Sequence, residues 1–572
     1  MYTISKMWPL RQPVGALLTL CFAGWLGACE ASSPPAPEPA STSTTCSGPT
    51  TPIHQVQGSG PASPLAGQRV TVEGVVVGDF QARDQLGGFF LNSVTPDADP
   101  ATSEGLFIFA PRAPAVAVGD RVQVRGRVKE HQGLTELTDV EQVTSCATGE
   151  PPEAMSLELA DAPDLEPYEG MRVAIEDEFT VANTHDLALY GQMLLAVGGR
   201  SFEAGPDGRM AARGLRLDDG SGRKELSEPP YLDAGSRRLG DRVTGVVGIV
   251  AQTEEGHVIH PTQPPTLENT NPRPLTPPEV GGSLRVVAFN LLNFFVTFGE
   301  RGALDHDEWE RQLAKHIAAL LALDADILAL VELENNPAAL SALAAELNKA
   351  SPHPYAATST PPGMGDDVIR VGFLYRPERV EAVGPARIDR APVFRRPPMA
   401  QTFAVGDERF TVVVAHFKSK SCRNVVEGEE DRGQGCWNPL RTRQAQQMVS
   451  FVTELQAASG DPDVMVTGDL NAYGGEDPIR ALTDSGLVDE LALRVPEAKR
   501  YTYVYGGRSG TLDFILTSPS LATRVTGVGV WHINSDEPVF LDYRIEANPP
   551  GLYRPDPFRS SDHDPVLIGL DF

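Results

Sequence analysis

The chain changes its hydrophobic rhythm near residue 283. Before that point apolar and polar residues alternate in short runs, as in "QRVTVEGVVVGDF" (68–80), "GLFIFA" (105–110) and "DRVQVRGRVKE" (120–130). Gly, Pro and Asp turns separate the runs, so the pattern predicts an all-β region of half-buried strands. Beyond 283 the apolar runs are continuous and alternate with helical stretches, which predicts an α/β region. Its strand candidates are 284–289, 326–333, 368–376, 410–418, 463–470, 511–517 and 565–571. Residues 307–323 place Leu313, Ile317, Leu320 and Leu321 on one helical face. A second helix is expected from Asn438 as N-cap, with Pro439 first inside it, carrying Leu440, Met448, Val452 and Leu455.

The all-β region repeats itself. "LAGQRVTVEG" (65–74) returns as "YEGMRVAIED" (168–177), and "VGDRVQVRGRV" (118–128) as "LGDRVTGVVGIV" (239–250). Two related β-barrels in tandem, 51–147 and 148–265, are the simplest account. Gly-x-Arg-Val followed by Gly-Asp-Arg-Val-x-Val-x-Gly resembles OB-fold modules, which bind oligonucleotides or oligosaccharides. Phe80, Phe89, Phe90, Phe107 and Phe109 serve either as stacking platforms or as core. In the loop 96–105, Asp97, Asp99 and Glu104 form either a solvated acidic turn or a site for Ca²⁺ as a structural ion, without EF-hand spacing. Residues 30–50, rich in Pro, Ser and Thr, read as a tether, and 266–282 as a linker.

Composition adds an address. Lys6 and Arg11 precede an apolar run at 14–26, too short to span a membrane stably. It ends in Leu26-Gly27-Ala28-Cys29, which resembles a bacterial lipoprotein box with Cys29 as the lipidated residue; an ordinary signal peptide cut near Ala28 is the alternative. The expectation is export, with lipid anchoring to the cell envelope or secretion. In an oxidising compartment four further cysteines allow three connectivities. Cys46–Cys146 with Cys422–Cys436 is the expected one, because each pair brackets one segment. The net charge of −28 argues against a broadly basic grip on nucleic acid, though not against a local one.

Polar residues collect at the ends of the α/β strands. Asn290 ends "RVVAFN", Glu332 and Glu334 end "DILALVELE", and His416 ends "VVVAH". Asp469 and Asn471 end "VMVTGDLN", Asp513 opens "DFIL", and "SSDHDPV" precedes the last strand with Asp562 and His563. Singly each reads as a turn or a hydrogen-bonded core residue; six ordered strand ends do not arise readily by chance.

This order resembles the DNase I-like endonuclease/exonuclease/phosphatase superfamily over 283–572, most specifically in Gly-Asp-Leu-Asn and Ser-Asp-His-Asp-Pro-Val. With the upstream modules, "GQGCWNPLR" (433–441) and "WHINSDEP" (531–538), it looks like the secreted bacterial extracellular nuclease branch. The resemblance implies an α/β catalytic domain, a four-layer sandwich of two mixed β-sheets flanked by helices. It implies Glu332, Asn290 and Asp562 as ligands of Mg²⁺ (or Mn²⁺), and His563 as general base oriented by Asp513. Asp469 and Asn471 would hold the water and a phosphate oxygen, and His416 would stabilise the scissile phosphate. Arg395, Arg396, Lys418, Lys420 and Arg441 are candidate substrate-binding cations around the cysteine loop. Glu334 stands where pancreatic-type enzymes carry a DNA-touching Arg, and Asp366 or Asp367 is a candidate partner for His416.

The expectation is a monomeric, metal-dependent phosphodiesterase acting on DNA or RNA with little sequence specificity and no protein partner. A phospholipid or sugar-phosphate phosphodiesterase, and a catalytically decayed nucleic-acid-binding surface lipoprotein, are the alternatives.

Overall fold

The computed structural model describes residues 46–159, 164–203, 214–299, 301–546 and 548–572. The expected signal segment, Cys29 and residues 30–45 of the tether lie outside the described residues.

The first five strands are β1 (Arg69–Phe80), β2 (Gly88–Asn92), β3 (Gly105–Phe109), β4 (Asp120–His131) and β5 (Leu134–Thr148). They close into a barrel of order β1-β2-β3-β5-β4, with β3 and β5 parallel. Alternation selects its interior: Val72, Val76, Phe89, Leu91, Val122, Val124 and Leu137 are all fully buried. The Cys46–Cys146 disulfide, with Cα atoms 5.2 Å apart, ties the entering chain to β5.

The next strands are β6 (Met155–Leu157), β7 (Arg172–Ile175), β8 (Phe179–Asn183), β9 (Gln192–Val197), β10 (Ser201–Phe202), β11 (Gly214–Asp218), β12 (Arg242–Thr244), β13 (Val246–Thr253), β14 (Gly256–Pro261) and β15 (Thr266–Glu268). All but β10 join one nine-stranded sheet of order β15-β12-β8-β9-β11-β14-β13-β7-β6. Its pairing repeats that of the barrel. Where β1 pairs with β4, β7 pairs with β13 and β8 with β12, both antiparallel. Where β3 runs parallel to β5, β11 runs parallel to β14. The expected second closed barrel is instead this nine-stranded sheet, in which the strand corresponding to β1 is divided into β7 and β8. The strand corresponding to β4 is divided at Gly245, whose φ of +66 suits a residue without Cβ.

Phe80, Phe90 and Phe107 pack with Ile249, Ala251 and Val258 of the second region. These rings are core between the two β regions and not stacking platforms. Phe89 lies inside the barrel, and only Phe109 of the five is exposed.

The α/β region holds β16 (Leu284–Phe294), β17 (Ile327–Glu334), β18 (Ala356–Ala357), β19 (Ile369–Tyr375), β20 (Glu381–Ile388), β21 (Met399–Val405), β22 (Glu408–His416), β23 (Val464–Asp469), β24 (Val488–Asp489), β25 (Tyr503–Tyr505), β26 (Arg508–Gly510), β27 (Asp513–Thr517), β28 (Val525–Val530) and β29 (Val566–Leu570). Two six-stranded mixed sheets form, β18-β19-β17-β16-β29-β28 and β20-β21-β22-β23-β27-β24. Period-two alternation makes each sheet two-faced. Val286, Ala288, Val412, Val414 and Met465 meet between the sheets. Val287, Phe289 and Leu328 face the helices His306–Leu323 and Pro337–Ala350, while Val413 and Val466 face Asn438–Ser459. The result is a four-layer sandwich. Strands β20, β21 and β28, which the apolar pattern does not reveal, lie at or next to sheet edges, where polar and Gly residues interrupt it.

Helix Asn438–Ser459 starts one residue earlier than expected. Trp437 is its N-cap at φ +66, and Asn438 instead donates to Asp477 Oδ2 at 3.1 Å.

Candidate active site

One sheet delivers three functional side chains in a row. His416 lies directly opposite Asp469 in the β22–β23 ladder, and Asp469 lies opposite Asp513 in β23–β27. Cross-strand partners project from the same face, so alignment at the strand ends puts all three at one rim. Gly468, at φ +114, lets β23 pass close to β22: a Cβ there would meet the Ala415 carbonyl oxygen at 2.3 Å.

The other sheet answers through two irregular strands. β17 slips register between Leu330 and Leu333, and Glu332 within the slip has φ +64. β16 slips after Asn290, where Leu292 and Asn293 have φ +49 and +55. Bulges re-aim side chains at a cost in backbone strain, and here they turn adjoining strand ends towards one cleft. Asn293 N–H donates to Glu332 Oε2 at 2.9 Å, and Asn290 Nδ2 reaches Asp469 Oδ2 at 3.3 Å, linking the two sheets.

The turn before β29 completes the group. His563 Nδ1 is 2.7 Å from Asp513 Oδ2, and its Nε2 is 3.9 Å from Asp469 Oδ2. Burial pushes the His563 imidazole down, but Asp513 and Asp469 outweigh it and hold it well above the usual histidine value. His416 Nε2 lies 3.4 Å from Asp469 Oδ2 and 4.0 Å from Glu332 Oε1. Its burial, with Arg396 and His563 nearby, holds it far below the usual value, so it is neutral. Burial raises Asp469 above the ordinary carboxylate range, partly offset by His563. Burial also raises Glu332, and the neighbouring Asp562 raises it further. Asn471, at φ +48, donates its backbone N–H to Asp469 Oδ1 at 2.9 Å and its Nδ2 to the Phe417 carbonyl at 3.2 Å.

These groups open onto a cleft of about 990 Å³. Glu332, His416, Asp469, Asn471, Asp562 and His563 line it, while Asp513 and Asn290 stand behind. Of the five expected cations, Arg395, Arg396, Lys418 and Lys420 line the cleft. Arg395 is exposed and paired with Asp366 at 3.1 Å, whereas the carboxylates near His416 are those of Asp469 and Glu332. Arg396 donates to the Phe417 carbonyl. Lys418 Nζ sits 4.9 Å from the Trp437 ring centre, and Lys420 Nζ is held by Glu476 at 2.6 Å. Arg441 is a correction: it is fully buried, and its guanidinium donates to the carbonyls of Gln434, Cys436 and Lys418. It braces the loop closed by Cys422–Cys436 and does not line the cleft.

Sequence reasoning missed Arg301 and Tyr503, which also line the cleft. Tyr503 packs its ring 4.7 Å from that of His563. Neither belongs to a polar strand end, and no local pattern singles them out. Glu334, buried, accepts from Val296 N–H and the Thr297 hydroxyl at 2.7 Å each, so it shapes a loop.

A second carboxylate, Asp562, lines the cleft with Glu332 and raises its proton affinity. Paired oxygen donors converging in a cleft fit a hard divalent cation. Elsewhere, His54, Asp97 and Glu104 place ligand-type atoms within 4.8 Å of one another on the barrel. Asp99 there accepts from Ala101 N–H in a turn.

Residues 287–563 match the Endonuclease/Exonuclease/phosphatase family. Among solved structures, the human Nocturnin catalytic domain with bound sulfate is 18% identical, covering 51% of this chain and 95% of that one, with TM-score 0.34. A Bacteroides thetaiotaomicron mannosyl-6-phosphatase is 16% identical, covering 50% and 100%, with TM-score 0.34. D. rerio TDP2 complexed with single-strand DNA product is 17% identical, covering 50% and 97%, with TM-score 0.32. No curated protein matches the chain.

Proposed function

We propose that the protein is a metal-dependent phosphodiesterase that hydrolyses nucleic acid with little sequence preference. The observation that carries this is the His563–Asp513 pair in a cleft that Glu332 and Asp562 also line and that Arg301, Arg395, Arg396 and Lys418 edge. In a chain of net charge −28, cations gathered at the catalytic rim point to an anionic substrate held there.

Glu332 and Asp562, with Asn290 beside them, would hold Mg²⁺ or Mn²⁺. Such an ion supplies charge neutralisation at the phosphoryl oxygens. Asp513 fixes the proton of His563 on Nδ1, which leaves Nε2 to take a proton from the attacking water. A cation on Asp562 would remove one of the carboxylates that raise His563, lowering its proton affinity and enlarging the unprotonated fraction that can act as base. Asp469 and Asn471 orient the water and a phosphate oxygen. His416, neutral, donates a hydrogen bond to the scissile phosphate and adds no full charge.

The closed order β1-β2-β3-β5-β4 supports reading the barrel as an OB-fold module, and the matching pairing supports a divergent second copy. With the phenylalanines in the core between the two copies, we assign these modules a scaffolding role. The apolar run ending at Cys29 supports an exported, lipid-anchored protein.

The test offers the oxidised protein plasmid, single-stranded DNA, RNA and sphingomyelin vesicles, with Mg²⁺ or with chelator. DNA or RNA cleavage abolished by chelator, and lowered at least 100-fold by His563→Ala, is expected. Cleavage of lipid alone would replace nucleic acid with a lipid diester as substrate; nucleic-acid binding without cleavage would leave a binding protein. Metabolic labelling with palmitate, lost in Cys29→Ala, tests the anchor.

A further inference from the structure

The loop 532–538 does no chemistry in this scheme, yet it is hydrogen-bonded densely on both sides. One side of it grips the catalytic turn. Asn534 and Ser535 N–H groups donate to the Asp564 carboxylate at 2.7 and 3.0 Å. Asn534 Nδ2 donates to the His563 carbonyl at 2.7 Å, and its Oδ1 accepts from Ser560 N–H at 2.8 Å. His532 Nδ1 lies 3.0 Å from Asp564 Oδ2.

The other side is gripped by the second β region and the linker. Asp536, fully buried, accepts from Arg200 at 2.8 Å and Asn271 at 2.8 Å. Glu537 accepts from Arg238, from Arg273 at 2.7 and 2.9 Å, and from the Ser236 hydroxyl at 3.0 Å. A second route runs beside the first. Strand β10 pairs in parallel with β26, and so adds a strand to the hairpin whose Tyr503 packs on His563.

We propose that the second β region is a positioning part of the catalytic centre, setting the place of His563 through Asp536 and Glu537. The inference rests on the reading of His563 as the base. A buried ionic junction is a poor way to gain stability, since apolar contacts of equal volume do as well or better. Its planar arginine forks do fix angle and register, which an apolar face would let slide. Register is what a base needs, because small misplacements of a catalytic group reduce rate steeply.

The experiment uses the full oxidised chain, with Glu537→Gln as the main variant and Arg273→Lys as a milder one at the edge of the network. Steady-state cleavage of a labelled oligonucleotide is read together with hydrogen exchange. The expected result is kcat lowered about 10-fold or more in Glu537→Gln, and less in Arg273→Lys, with KM within 2-fold. Faster exchange should appear in peptides covering 558–565 as well as 532–538, with the cooperative melt retained. Changes in KM alone, or exchange confined to 532–538 in a folded variant, would overturn the inference. If His563→Ala keeps activity, the base reading fails by itself, whereas an inactive His563→Ala beside a fully active, folded Glu537→Gln and Arg273→Lys sinks only the positioning role.

Discussion

The second β region has two junctions, built from opposite materials. Towards the barrel it meets close backbone and apolar rings: Gly170 against Gly105, where a Cβ on Gly105 would lie 2.0 Å from the Gly170 carbonyl carbon, and Phe80, Phe90 and Phe107 against Ile249 and Val258. Among its ionisable groups Glu169 is buried and accepts from Thr135 N–H at 2.9 Å. Burial pushes its carboxyl up to about 8, so it is neutral at pH 7. Towards the catalytic domain it meets Asp536 and Glu537 with Arg200, Arg238 and Arg273, and the same burial leaves those carboxylates charged because guanidinium groups overcome it. One junction is held by shape, the other by orientation. The oriented one is the one that touches the active site.

That contrast breaks most sharply at Arg238. Replacing it with Met removes one partner from two buried carboxylates and should lower stability by about 3–5 kcal/mol. Calorimetry should show the loss, with exchange at 103–107 unchanged.

Gly105→Ala attacks the other junction. Backbone must shift to admit the methyl, at a cost of about 1–3 kcal/mol. Exchange at 165–175 should rise while kcat stays at the wild-type value; a fall in kcat would mean that the barrel too is coupled to the centre.

The pH response separates the junctions further. Glu169 takes up a proton on folding, so its stabilisation is full below about pH 4.5 and fades as pH rises through about 8. Melting midpoints should therefore fall from pH 5 to pH 9, and Glu169→Gln should remove that share of the slope, about 1.4 kcal/mol per pH unit between the two values. The smallest effect belongs to Ser236→Ala, which removes one of several hydrogen bonds to Glu537 and should cost about 1 kcal/mol, read as a small shift in the melting midpoint.

The gathering of polar residues at one rim was legible in the sequence because strand-end polarity is a local signal. Asn290, Glu332, His416 and Asp469 end or interrupt apolar runs, while Asn471, Asp562 and His563 sit in polar turns beside buried strands. What was not legible depends on contacts between distant segments. Arg441 reads as one more loop cation, and only the fold shows that three carbonyls enclose it. Phe80 and Phe107 fit a binding face as well as a core until the second β region is seen to cover them. The left-handed turn at Glu332 lies inside "LALVELE", where nothing but Glu itself marks a break. "WHINSDEP" stood out as a motif, but its partners are arginines some 260–340 positions earlier.

Strand β29 has a bearing on when the protein becomes active. It lies between β16 and β28, with Leu284 opposite Leu570. The first strand of the catalytic domain thus waits for one of its last before its sheet can close, a pairing of high contact order and slow assembly. Asp562 and His563 arrive with that strand. A nascent or truncated chain that lacks it carries the cleft's cations and most of its carboxylates but neither the proposed base nor the second metal-facing carboxylate. In the proposed scheme such a chain could not hydrolyse its substrate until β29 is in place.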